Sequence, residues 1–417
     1  MIEVNYLSIG FLTIYLLQMF FDAGIEKINI GHLEQVEREV PISFKGFIDR
    51  DKLSRILDYA AENGQIALIG GFTADFVLLA LIVTGFMPAV EDFLVRQGIA
   101  YSAAGVLFFL APGFIVYLVN LSFDYYHTFR IEEKFDFNRA TLKIWAKDHL
   151  KAGMLSVSIF AVLLISILWA IRLAPSWWWF WGFLIVSAVQ ISLALLYPVL
   201  IAPLFNKFQP VKDQLLAEEI KRLMKKNGIE VKKILEMDAG KRSRHTNAYF
   251  TGFGKTKQIV LYDTLIHSHP REEILAVLAH EVGHYKKKHV IKQLVLFEIF
   301  MLAGFYLTYR LLEWPLLYST FGFESTRAYI GLFFIGVFWQ KVSYFLKPIQ
   351  MALSRHFERQ ADVFAVRLLK NAEPLVTAFK RTASDNLTNL EPHPLYVRFN
   401  YSHPPLVERV AYLERIS

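Results

Sequence analysis

Two histidines four residues apart, with a glutamate beside the first, are the residues of this chain best spaced for chemistry. They are His280, Glu281 and His284, in the pattern H-E-x-x-H. On a helix, positions i and i+4 share a face, about one turn apart. Two imidazoles so placed can hold one zinc ion from the same side, and Glu281 can reach a water on that ion as general base. The pattern is short and its residues are common on helices, so other groups must support it. A catalytic zinc takes three protein ligands and leaves one position for water. The best third candidate is Glu358, in Ser354-Arg355-His356-Phe357-Glu358-Arg359-Gln360-Ala361-Asp362. Asp362 lies one turn further along the same face, where its carboxylate can accept the second N–H of a zinc-bound histidine and fix its orientation. The competing reading is a salt-bridged amphipathic helix, because Arg355 and Arg359 stand beside these acids.

Three further stretches carry weaker signals. His403, followed by Pro404 and Pro405 and then an amphipathic pattern, can hydrogen-bond the oxyanion of a tetrahedral intermediate; a surface histidine in a helix-start loop fits equally well. Asn247 to Gly254 read as a strand or hairpin just before the zinc helix. Peptidases bind substrate by adding it as a strand to such an edge, and a plain structural hairpin is the alternative. His289 follows His284 by five residues, about 140° round a continuous helix. That spacing makes it a surface residue of the basic patch Lys286-Lys287-Lys288 rather than a ligand.

The elements that must position these residues are membrane helices. The chain has 417 residues, 54% of them hydrophobic, with 36 Phe and no Cys. The lack of cysteine excludes disulfides, thiolate zinc sites and a cysteine nucleophile. It leaves His, Glu and Asp as the strong metal ligands. Apolar runs cover Val4 to Phe21, Ile66 to Met87, Tyr101 to Phe123, Met154 to Leu173, Trp177 to Phe205, Leu294 to Leu312 and Tyr329 to Leu353. Each is long enough to cross a bilayer. Pro198 and Pro203 are expected to kink the end of the fifth. The chain accordingly divides into spans one to five with their loops (1–205), a soluble insert ending in the zinc-motif helix (206–290), spans six and seven (291–353) and a C-terminal segment bearing Glu358 (354–417). The fold class is an all-α integral membrane protein with seven transmembrane helices and a small cytoplasmic α+β metalloprotease portion. Asp75, Gln190, Gln340 and Lys341 lie inside spans, where polar groups face water or one another.

Charge sets the orientation. Arg130, Lys134, Arg139, Lys143 and Lys147 follow the third span, and the insert is Lys-rich; the opposite loops carry little beyond Arg96, Arg310 and Arg327. The positive-inside rule puts the insert, the zinc motif and the C-terminus in the cytoplasm. The net charge of +7 then reflects loops facing anionic lipid rather than a nucleic-acid surface.

With HEVGHYKKKH, SRHFERQAD and SHPPLVERV in this order, along with FDFNRAT and NAYFTGFGKTKQIVLYDTL, the sequence resembles the CAAX prenyl protease type I family over nearly its full length. The resemblance implies one zinc per chain, held by His280, His284 and Glu358, with Glu281 as base. It implies that His403 steadies the transition state and that Asn247 lies at the substrate-binding edge. It implies a water-filled chamber enclosed by seven helices, with the catalytic site near its cytoplasmic end. The expected substrates are membrane-associated peptides, including C-terminal C-a-a-X tails with an isoprenoid on the cysteine, which lose their last three residues. No obligate partner beyond substrate and lipid is expected. The short loops and small insert point to a bacterial inner membrane. One rival is a membrane quality-control protease of the heat-shock type, which the span count disfavours. The other is a transporter or membrane scaffold with an incidental H-E-x-x-H.

Overall fold

The computed structural model describes residues 2–36, 39–251 and 257–416. Among them, six helices are long and apolar enough to cross a membrane, and a bent pair makes a seventh span. The first is Tyr6–Gln35, started by a capping box in which Asn5 Oδ1 accepts from the Ser8 N–H and Ser8 Oγ accepts from the Asn5 N–H. The second is Arg50–Val83, capped by Asp49, whose Oδ1 accepts from the Lys52 N–H at 2.7 Å. The third, Tyr101–Tyr126, continues through a π-turn at His127–Ile131 to Lys134. The fourth is Leu142–Leu173. Much of the polar stretch 124–150 is therefore helix rather than loop, because both spans extend past their apolar runs. The fifth, Trp178–Leu196, ends in a π-turn at Tyr197–Ile201 that contains Pro198, so the missing N–H is absorbed by a widened turn. The sixth is His289–Leu312.

The seventh differs from the continuous helix expected to Leu353. Ala328–Tyr344 and Lys347–Leu369 meet at 54° across Phe345 and Leu346. Pro348 is tolerated there because it falls in the first turn of the second piece, where its lost N–H would have no helical partner. The bend turns the chain out of the span's direction and carries Glu358 toward the H-E-x-x-H helix.

Each span packs on its sequence neighbours, and the seventh returns to the first. None of the most apolar eighteen residues of the fifth or sixth span is buried, and only 11% of those in the second or fourth. Spans one to four and seven share a packed core around Tyr15, Ile82, Phe108, Leu168 and Phe333. There are also two adjoining cavities. One, of about 500 Å³, is lined by Asn63, His127, His245 and Tyr401; the other, of about 370 Å³, by Asp22, Asp75 and Lys347. Glu26, Ala67 and Tyr396 line both. Of the intramembrane polar residues, Lys341 is buried and pairs with Asp75 at 2.6 Å, joining spans seven and two. The amide of Gln190 donates to Glu298 across spans five and six.

Between the fifth and sixth spans lies a four-stranded sheet: β1 Phe208–Pro210, β2 Lys233–Met237, β3 Ala248–Thr251 and β4 Gln258–Tyr262, in spatial order β1-β2-β4-β3. β2 and β4 are parallel; β3 pairs antiparallel with β4 and forms one edge. The H-E-x-x-H helix, Arg271–Lys286, follows. Its Ile274, Leu278 and Val282, spaced by four, face the core made by Ile259 and Leu261 of β4 and Ile220 of helix Gln214–Lys226. Its Ala276 and Ala279 pack on Leu375 and Phe379 of helix Glu373–Asp385. Burial on both flanks fixes the rotation of the helix, and therefore where its histidines point.

Candidate active site

The motif helix starts after Pro270 with Glu272 and Glu273 in its first turn, where negative charge suits the helix dipole. Glu273 also forms a two-pronged ion pair with Arg381, at 2.8 and 3.0 Å, which anchors that end. At the other end, Gly283 lies against helix Lys347–Leu369. A Cβ on Gly283 would stand 2.9 Å from Ala361 Cα, so only glycine permits this approach. The fourth letter of the motif is thus a packing requirement, and it brings Glu358 within reach of both histidines.

Three ligand atoms converge as a result. His284 Nε2 is 3.0 Å from His280 Nε2, His280 Nε2 is 3.3 Å from Glu358 Oε2, and His284 Nε2 is 3.2 Å from Glu358 Oε1. Ligands at about 2.0–2.1 Å around a tetrahedral ion stand about 3.3 Å apart, so each histidine nitrogen is at a ligand-to-ligand distance from the other and from one Glu358 oxygen. Glu281 lies close enough to feel the charges of both histidines. Burial raises its carboxyl above the ordinary range, against the pull of His280 and His284.

Asp362 is where the sequence placed it. Its Oδ1 accepts from His280 Nδ1 at 2.8 Å, which leaves Nε2 with its lone pair toward Glu358 and His284. Burial alone would lower the pKa of His280; the hydrogen bond to Asp362 and the Glu358 carboxylate beside it overcome this and raise it to about 9. Asp362 is in turn held by Arg409, which sequence reasoning did not single out. The Arg409 fork donates from Nε to Oδ2 at 2.9 Å and from a terminal nitrogen to Oδ1 at 2.6 Å. The guanidinium stacks on Phe379, 4.0 Å from the ring centroid, and is buried. Its one sequence signal is a cation flanked by valines at 407 and 410 in the short helix Leu406–Arg415. Removing one partner of a buried pair strands the other. Arg409→Met is therefore expected to destabilise the protein by about 3–5 kcal/mol. A lowered thermal midpoint in detergent, partly recovered by Arg409→Met with Asp362→Leu, would bear this out; an unchanged midpoint would refute it.

His289 corrects the sequence reading. It is 1% exposed, not a surface residue. The motif helix ends at Lys286, and Lys288 adopts a left-handed conformation, φ 55°, before the sixth span begins at His289. The 140° argument assumed one continuous helix. The turn at Lys287 and Lys288 instead breaks the helix and sets His289 Nδ1 3.1 Å from His284 Nδ1, with its ring stacked on Phe357.

His403 is brought to the site. Its Nε2 is 3.2 Å from Glu358 Oε1, and the Ser402 hydroxyl meets its Nδ1 at 2.8 Å. Pro404 and Pro405 are buried and fix the loop, while the imidazole is 58% exposed. Asn247 immediately precedes β3; its side-chain oxygen accepts from the Ala248 N–H and its carbonyl from the Tyr262 N–H. The outer edge of β3 pairs with no strand among the described residues. Gly252 to Gly254, the end of the expected hairpin, lie outside the described residues.

Two family models match in tandem: the CAAX prenyl protease N-terminal region with five membrane helices over residues 29–207, and peptidase family M48 over residues 210–417. CAAX prenyl protease 1 homologs are similar along most of the chain. That of Dictyostelium discoideum is 36% identical, covering 97% of this chain and 96% of its own. That of Arabidopsis thaliana is 34% identical, covering 89% of each. The chain belongs to the CAAX prenyl protease 1 family of M48 peptidases. A crystal structure of S. mikatae Ste24p superposes with a TM-score of 0.92 at 27% identity, over 99% of this chain and 100% of that one.

This M48 peptidase is therefore an integral membrane metalloprotease, and the expected seven-span fold with a small α+β portion stands. The family implies a metal, and the residues here fit one. Glu358 Oε2 is fully buried and has no hydrogen-bond donor among the described residues. It faces the lone-pair side of His280 Nε2. A cation between them satisfies both, and His280, His284 and Glu358 are positioned to hold it.

Proposed function

We propose that this metalloprotease holds one zinc ion through His280, His284 and Glu358 and cuts peptide bonds near the C-terminus of membrane-associated substrates, including isoprenylated C-a-a-X tails. The observation that carries this reading is the convergence of the three ligand atoms, with Glu281 alongside, in a chain built of membrane-spanning helices. Imidazole nitrogens with a carboxylate suit zinc. When bound, the ion supplies Lewis-acid polarisation and a water acidic enough to attack near neutral pH. Glu281 takes the proton from the attacking water and delivers it to the leaving amine. Its raised pKa brings it nearer the pH at which it must do both. Asp362, held by Arg409, keeps His280 in one tautomer. His403, beside Glu358 and open on its other side, donates to the oxygen on which negative charge develops. The substrate lies as an added strand along β3, started by Asn247.

The relatives' printed names supply the substrate class. Basic residues on the insert and after the third span support a cytoplasmic site, and the short loops support a bacterial inner membrane. The test is cleavage of a C-a-a-X peptide, farnesylated or not, by the protein in liposomes. Release of the terminal tripeptide, abolished by a chelator, restored by zinc and faster for the farnesylated form, is expected. Equal cleavage of both forms would remove isoprenoid recognition. Internal clipping of unfolded membrane proteins with no tripeptide release would favour the quality-control alternative.

A further inference from the structure

Beyond the histidine and carboxylate triangle, a line of polar side chains leads from His284 away from the site. His284 Nδ1 meets His289 Nδ1 at 3.1 Å. His289 Nε2 meets Gln360 Oε1 at 3.0 Å. The amide nitrogen of Gln360 meets His356 Nε2 at 2.8 Å. Donor and acceptor roles along this line are fixed by what each atom can do. Gln360 presents an oxygen to His289, and a carbonyl oxygen only accepts, so His289 carries its proton on Nε2. A neutral His289 then has a bare Nδ1, which accepts. The facing His284 Nδ1 must donate, and His284 Nε2 is left as a lone pair in the triangle. Gln360 is held in the required amide orientation because its nitrogen donates to His356.

We infer that His289, oriented by Gln360, is the positioning residue that sets His284 in its metal-binding tautomer, as Asp362 does for His280. The two histidines are thereby served by different chemistry. His280 has a carboxylate backed by arginine, and His284 has a neutral imidazole backed by an amide. A neutral acceptor adds no negative charge beside the site. His289 is the first residue of the sixth span, so this bond also ties the start of a membrane-spanning helix to one ligand. The stacking of His289 on Phe357, with ring centroids 4.2 Å apart and planes 6° apart, holds the ring in the plane this bond needs.

This proposal rests on the assignment of His280, His284 and Glu358 as ligands, and the experiment separates the two. Zinc affinity is measured by chelator competition on the purified full-length protein, beside His284→Ala and three other variants. His289→Phe keeps the stack on Phe357 but removes the acceptor. His289→Asn restores an acceptor near the position of Nδ1. Gln360→Leu leaves His289 in place but frees its tautomer. Loss of an outer partner of a ligating histidine typically costs 10–100-fold in affinity. The dissociation constant is expected to rise by roughly that factor in His289→Phe, by about 3- to 10-fold in Gln360→Leu, and to return toward wild type in His289→Asn. The d–d spectrum of the cobalt-loaded protein should change in His289→Phe and revert in His289→Asn. Unchanged zinc affinity in His289→Phe overturns the proposal. So does an equal loss in His289→Phe and His289→Asn, which would make the role one of packing. Wild-type affinity in His284→Ala would instead overturn the ligand assignment, and this inference with it.

Discussion

Glu281→Gln is expected to lower kcat by about 10²–10⁴-fold while the protein keeps one metal ion per chain. Glutamine has the size of glutamate, so the buried niche beside His280 and His284 stays filled. It cannot take a proton at any pH where the protein is folded. Glu281 is not among the three converging ligand atoms, so its loss should leave metal affinity nearly intact. The raised pKa of the native carboxyl reflects burial first, and burial also makes it more effective as a base. Turnover of a C-a-a-X peptide and metal analysis on the same preparation decide the matter. Retention of more than a tenth of wild-type kcat would mean that another group takes the proton.

The second large effect is Glu358→Ala, which should abolish metal binding and activity together. Zinc sites contribute roughly 10–16 kcal/mol over four ligands, or about 3–4 kcal/mol per ligand. That corresponds to two to three decades in dissociation constant, enough to lose the ion during purification. The carboxylate is also the only anionic member of the group, so its removal leaves two imidazoles beside the Arg409 guanidinium, which lies 3.5 Å from Glu358 Oε2 in the native protein. One metal ion per chain after dialysis of this variant would refute the ligand assignment. The two variants differ in kind: one should be a loaded, inert protein, the other an empty one.

Much of this was legible in the sequence because it is local. Apolar runs longer than a bilayer is thick must be helical, and i, i+4 spacing on a helix dictates a shared face for His280 with His284 and for Glu358 with Asp362. What was not legible depends on where helices stop. His289 was misplaced because three lysines in a row give no strong break signal, and the break at Lys287 and Lys288 is made by a left-handed lysine rather than a glycine. The break in the seventh span had a cue in Lys347-Pro348, a polar pair inside an apolar run, but its angle follows from packing against the motif helix. Arg409 could not be recognised as buried without knowing that helix Leu406–Arg415 lies over Asp362. The strand order β1-β2-β4-β3, with β2 and β4 parallel, is a product of long-range pairing that no short pattern encodes.

The placement of the ligands has a consequence for synthesis. His280 and His284 are separated from Glu358 by the hairpin of spans six and seven, and the arginine that secures Asp362 lies a further 47 residues along the chain. That hairpin must therefore be made and enter the bilayer, and the helix bearing Glu358 must follow it, before the three ligand atoms can meet. Until then the nascent chain carries two histidines and a glutamate on an isolated helix, with no third ligand to capture an ion. The arrangement keeps the site incomplete until the helix that bears Glu358 has been made.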